Sequence, residues 1–136
     1  MITSTHKNKI MIVEDDPDDQ FMLKKIFSSM FPDMIIQLID NGHACIEYLE
    51  ANTTELPQLI TMDLNMPLMN GLEATAHIKK DVRFTNIPIV ILSTSDRDTD
   101  MVASTEGGAD DYYVKNINYE DLRNTIKTLS EKWLKS

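Results

Sequence analysis

The sequence predicts an α/β fold in which a doubly wound, five-stranded parallel sheet alternates with five helices. Three observations carry that reading. Short apolar runs recur along the chain, helical patterns fill the intervals between them, and acids, hydroxyls and a lysine stand just past the ends of the runs. The runs cover residues 10–13, 35–39, 59–62, 89–92 and 112–114. They are apolar at successive positions instead of alternating with polar residues, the pattern of strands covered by helices on both faces.

The elements follow in order. Residues 1–8 read as a loose polar leader and 9–136 as one domain. After the first run, residues 18–30 place Leu23, Ile26, Phe27 and Met30 on one helical stripe, with Pro17 at the start, where a missing N–H is tolerated. Residues 42–51, 72–80 and 98–106 give shorter helices, and Gly107-Gly108 supplies a stop for the third of these. The last helix carries Leu122, Ile126, Leu129 and Trp133 on one stripe. Glu120 and Asp121 stand in its first turn and Lys132 and Lys135 in its last, matching the helix dipole. Strands joined through helices imply right-handed crossovers, and ligands of such sheets bind beyond the carboxyl ends of the strands.

Charge and composition narrow the function. The 136 residues contain 22 acids against 13 lysines and arginines, a formal net charge of −9. Such a chain repels phosphate backbones and anionic headgroups, which argues against binding nucleic acid or membrane. Cys45 is the single cysteine, so neither an internal disulfide nor a Cys/His zinc spacing can be written. There is no apolar run of about 18 residues and no secretory leader, and the expected location is the cytoplasm.

The strand ends hold the chemistry. The first is followed by Glu14-Asp15-Asp16-Pro17-Asp18-Asp19, five acids in six positions. Asp18 and Asp19 read as a solvated helix start. Glu14 and Asp15 come straight off a buried strand, where like charges call for a cation between them, and hard oxygen ligands suit Mg²⁺. Asp63 follows the third strand and would be costly to bury alone. Ser93-Thr94-Ser95 follow the fourth and Lys115 the fifth. Carboxylates, a hydroxyl and an ammonium together suit a metal-assisted phosphoryl transfer. His6, His43 and His77 lack a nucleophile pattern, and Cys45 and Trp133 read as packing residues, Trp133 alternatively as a dimer contact.

Four blocks carry a family resemblance: Val13-Glu14-Asp15-Asp16-Pro17, Asp63-x-x-Met66-Pro67-x-Met69-Asn70-Gly71, Ser93-Thr94-Ser95, and Gly108-Ala109-Asp110-Asp111-Tyr112-x-Val114-Lys115. In order and spacing they resemble the signature of the response-regulator receiver domain. The segment Glu131-Lys132-Trp133-Leu134 is similar to that of single-domain receivers paired with phytochrome-type kinases. The resemblance implies a flavodoxin-like sheet of order 2-1-3-4-5. It makes Asp63 the phosphoacceptor, Asp15 a direct Mg²⁺ ligand, Glu14 an acid acting on the metal through water, and the Asn65 carbonyl a further ligand. Lys115 would bind the phosphoryl group, Ser93 would move toward it, and Tyr112 would turn inward in the active state. Asn65 and Ser95 would stand near the water that hydrolyses the phosphate.

The partners so implied are a sensor histidine kinase or histidine phosphotransfer protein and a downstream protein target, with a homodimer through the fifth strand and last helix as a further expectation. With one helix after Lys115, no output domain is expected. One departure stands out: Lys115 precedes Asn116 where the family usually has a cis proline, so a trans bond is expected, a non-proline cis bond costing about 2.5–4 kcal/mol. Two rivals remain open. A phosphohydrolase similar to the haloacid dehalogenase family needs a second acid two residues past the nucleophile, where this chain has Asn65. A receiver-like module that is never phosphorylated would ordinarily lack Asp63, Asp15 or Lys115, and all three are present.

Overall fold

A computed structural model describes residues 8–134. The elements run β1 (Lys9–Val13), α1 (Pro17–Met30), β2 (Ile35–Ile39), α2 (Gly42–Ala51), β3 (Leu59–Met62), α3 (Gly71–Lys80), β4 (Ile89–Ser93), α4 (Asp98–Glu106), β5 (Asp111–Val114) and α5 (Tyr119–Trp133). All strand pairs are parallel and the order is β2-β1-β3-β4-β5. Met1–Lys7 of the expected leader and Lys135 lie outside the described residues. Asn8, expected in the leader, instead extends the sheet, its carbonyl accepting a 2.8 Å bond from the Ile35 N–H.

Alternate residues of the central strands feed two cores. On one face Met11, Val13, Ile60, Met62, Ile89 and Ile91 pack with Cys45 and Leu49 of α2 and Ala74 and Ile78 of α3. On the other, Ile10, Ile12, Leu59, Val90 and Leu92 meet Leu23, Ile26 and Phe27 of α1 and Leu122, Ile126 and Leu129 of α5. Cys45 is wholly buried, and burial pushes its thiol up to about 12, so it serves as an unreactive packing residue.

Two strands depart from the reading that all five are buried. Every residue of β5 is only half-buried, and in β2 Ile35 is 42% exposed. Both are sheet edges, where one flank has no neighbouring strand to cover it. β4 also runs one residue further than expected, taking in Ser93.

The turns that carry the strand ends into the helices are closed by side chains. Asp16, Asn41, Asn70 and Asn118 cap α1, α2, α3 and α5, and Asn70 forms a reciprocal box with Glu73. Gly71 is required for a different reason: a Cβ there would lie 2.1 Å from the Asp63 carbonyl oxygen. The start of α3 is therefore pressed against the backbone of the third strand end. Gly71→Ala should destabilise the fold by about 1–3 kcal/mol in chemical denaturation, since the backbone must move to admit the methyl.

Candidate metal and phosphoryl site

The sheet ladder continues one residue past several strands, and that continuation fixes the chemistry-bearing side chains. The Glu14 N–H donates to Ile39 at 2.9 Å, the Asp63 N–H to Val13 at 3.0 Å and the Lys115 N–H to Ser93 at 2.6 Å, in each case to the carbonyl. Glu14, Asp63, Ser93 and Lys115 are thus anchored on the rigid part of the fold, all at the carboxyl edge, and all four are buried.

The ligand oxygens of Glu14, Asp15 and Asp63 lie within 4.8 Å of one another. Asp15 is exposed and opens the cluster to solvent. Three carboxylates this close are mutually repulsive unless a cation stands among them, and an all-oxygen set of this kind fits a hard divalent ion. Glu14 is the least free of the three. Its Oε1 receives Lys115 at 2.5 Å and its Oε2 the Asp16 N–H at 3.1 Å, which suits contact with a metal through water better than direct ligation.

The Lys115 ammonium, 6% exposed, stands 2.5 Å from Glu14 Oε1, 2.9 Å from Asp19 Oδ2 and 4.0 Å from Asp63 Oδ1. Burial alone would depress its pKa, but the Glu14 hydrogen bond and the charges of Asp63 and Glu14 outweigh burial and hold it above the ordinary lysine value. Asp63 is raised, first by burial and then by the charge of Asp15, against the opposing pull of Lys115 and the N–H groups of Asn65 and Leu64. Glu14 is pushed up to about 7, again chiefly by burial.

A pH dependence follows. The folded Glu14 pKa of about 7 exceeds the ordinary 4.5, so the folded state binds this proton more readily than the unfolded chain does. The stabilisation from Glu14 is complete below the ordinary value and disappears as pH rises through about 7. Metal-free thermal melts in chelator should therefore show Tm falling from about pH 5 to about pH 8, and Glu14→Gln should flatten that slope.

Ser93 and Tyr112 share no hydrogen bond; Ser95 joins them. The Ser93 Oγ accepts the Ser95 N–H at 3.2 Å, and the Tyr112 hydroxyl donates to the Ser95 carbonyl at 2.8 Å. The Ser95 hydroxyl donates to Asp100 Oδ2 at 2.5 Å and so ties the loop after β4 to α4. Asn65 is exposed beside Asp63. No cis peptide occurs among the described residues, so the Lys115–Asn116 bond is trans as expected, and Asn116 reaches Thr125 of α5 at 3.3 Å.

Asp19 is the residue that sequence reasoning missed. Read as a solvated helix start, it instead joins Lys115. The available signal was its place as the third helical residue after the Asp16 cap, because helical side chains lean toward the N-terminus and here that means toward the crevice.

The family model of the response regulator receiver domain matches residues 10–127. The chain belongs to this family. The response regulator Rcp1 of Synechocystis is 30% identical over 131 residues, which is 93% of this chain and 89% of Rcp1. Protein PilH of Pseudomonas aeruginosa is 31% identical, over 89% of this chain and 96% of its own length. Among solved structures, the Mn²⁺-bound form of Rcp1 superposes with a TM-score of 0.84 at 29% identity, covering 95% of this chain and 96% of that one. The phosphorylated cyanobacterial phytochrome response regulator RcpA gives 0.86 at 31% identity, covering 94% of each chain. Receiver domains are phosphoacceptor switches of two-component signalling, and their partners are histidine kinases or phosphotransfer proteins. The Rcp1 structure is a Mn²⁺-bound form, and in this receiver Glu14, Asp15 and Asp63 form an oxygen set that would fit a divalent ion. No described helix is long and apolar enough to cross a membrane.

Proposed function

We propose that Asp63 takes a phosphoryl group from a phosphohistidine on a sensor kinase or phosphotransfer protein. The observation that carries this reading is a buried carboxylate 4.0 Å from a buried ammonium, within 4.8 Å of two further acids. An Asp63 carboxylate oxygen forms the new O–P bond as the P–N bond to the imidazole breaks, the electron pair returning to the ring nitrogen. Mg²⁺ held by Asp15, Asp63 and the Asn65 carbonyl, with Glu14 acting through water, would offset negative charge on the transferring group.

The chain's own residues do the rest. Lys115 neutralises a phosphoryl oxygen, and its anchorage to the Ser93 carbonyl keeps it at the crevice. The Ser93 hydroxyl donates to the acyl phosphate, loosening its hold on the Ser95 N–H, and the Ser95 carbonyl that Tyr112 bonds shifts with it. Tyr112 then moves inward and alters the face formed by β5 and α5, where Ile117 is 90% exposed and Tyr119 partly so. That face is our candidate for contact with a downstream protein or a second copy of the chain.

The reaction consumes the protein's own carboxylate, so this is a switch and not an enzyme acting on a separate substrate. A phosphohydrolase is disfavoured because Asn65 stands where the second acid would have to be. Glu14, Asp15, Asp16, Asp18, Asp19 and Asp63 account for six of the nine net negative charges, which leaves no basic excess for nucleic acid or membrane and suits a cytoplasmic protein. The test is incubation with Mg²⁺ and a small acyl phosphate, followed by intact mass. One phosphate adduct is expected on the wild type and none on Asp63→Asn; an unmodified wild type would contradict the proposal.

A further inference from the structure

We infer that Asp19 is a positioning residue that holds Lys115 back from the phosphoryl site and so sets how readily the phosphorylated state forms. The inference rests on the phosphoacceptor reading of Asp63. Its observation is separate: the Lys115 ammonium is nearer Asp19, at 2.9 Å, than Asp63, at 4.0 Å.

Lys115 has three N–H donors, and Glu14 and Asp19 take two of them. An oxygen of a group attached to Asp63 competes with these two carboxylates for the same positive charge, and the ammonium closes fully on it only by weakening one of them. The two are not equal. The Glu14 side chain is 3% exposed, so abandoning it would leave a buried charge without its partner. The Asp19 side chain is 36% exposed, and water replaces the lysine when it leaves. Asp19 is therefore the partner that yields.

The helix holds Asp19 ready to recapture the lysine. Its backbone N–H donates to Asp16 Oδ2 at 2.9 Å, which closes the first turn of α1 and fixes where the Asp19 side chain begins. Asp19 is also a carboxylate added to a crevice that already holds Glu14, Asp15 and Asp63, so it opposes a further anionic group there by charge as well as by competing for Lys115. Both effects have the same sign: Asp19 favours the phosphate-free state. Asp19 lies outside the three-acid metal cluster, which separates its action from metal ligation.

The test uses beryllofluoride, a stable phosphoryl mimic, titrated calorimetrically into wild type, Asp19→Asn and Asp19→Glu at fixed saturating Mg²⁺, with Mg²⁺ alone titrated in parallel. Asp19→Asn should bind beryllofluoride about 3- to 5-fold more tightly, the upper part of the range expected for loss of one partly solvated ion pair, while Asp19→Glu, which keeps the charge, stays within about twofold of wild type. Affinity for Mg²⁺ alone should not rise in either variant. A residue with only a helix-capping role would change the melting temperature and leave beryllofluoride affinity untouched. Unchanged or weakened binding by Asp19→Asn, with wild type binding normally, would overturn the role of Asp19 and leave the phosphoacceptor reading standing. Failure of wild type to bind beryllofluoride at all would overturn both.

Discussion

Lys115→Ala in the metal-free protein is expected to lose about 3–5 kcal/mol of stability at neutral pH, the range found when one partner of a buried ion pair is removed. Lys115 is 6% exposed and faces Glu14, Asp19 and Asp63. Without it, Asp63 and the ionised fraction of Glu14 are left buried with only backbone N–H groups to oppose their charge. Lys115→Met separates charge from packing, because it keeps most of the apolar stem and should lose nearly as much. Acidification should return part of the loss in both variants, since Glu14, already raised to about 7, takes up a proton more easily still when the lysine is gone. Urea unfolding in chelator reads all of this. A loss below about 1 kcal/mol would mean that solvent screens the crevice as it does a surface pair.

The opposite sign is expected at Asp63. Its raised pKa means that, even with Lys115 nearby, the folded protein holds the ionised carboxylate less comfortably than water does. The neutral isostere should relieve that, and Asp63→Asn should raise the metal-free Tm by about 3–6 °C, corresponding to about 1 kcal/mol for a domain of this size. Wild type should gain strongly on addition of Mg²⁺, by about 2.7 kcal/mol when the ion is present at 100 times its Kd, and Asp63→Asn should show less than about half of that gain. Thermal melts with and without the ion measure both effects. If neither shift occurred, the acids would serve only to keep the protein soluble.

How far the sequence could be read depends on how local the cause of each feature is. β1, β3 and β4 are legible because a central parallel strand must be apolar on both faces, and Ile10, Met11, Ile12 and Val13 satisfy that without reference to anything else. The exposure of β2 and β5 is not legible from their composition, since it comes from their place at the edges of the sheet order. Asp63 stood out because an acid straight after a buried apolar run is costly to bury alone, and Lys115 only in company with the acids and hydroxyls at the other strand ends. Asp19 did not, because an acid at a helix start already has a sufficient local explanation, and its bond to Lys115 crosses 96 positions of sequence. The tie from Ser95 to Asp100 is a matter of side-chain rotamer, which neither spacing nor composition encodes.

The central claim is that one carboxylate, Asp63, carries the phosphoryl group. The most direct measurement reduces the protein with borohydride after treatment with Mg²⁺ and a small acyl phosphate, then locates the product by peptide sequencing, since reduction of an aspartyl phosphate leaves homoserine at the modified position. Homoserine at position 63 and at no other acid, with none in protein treated without the donor, is the result expected. Homoserine at position 15 or 19, or phosphate retained on a histidine with position 63 intact, would contradict it.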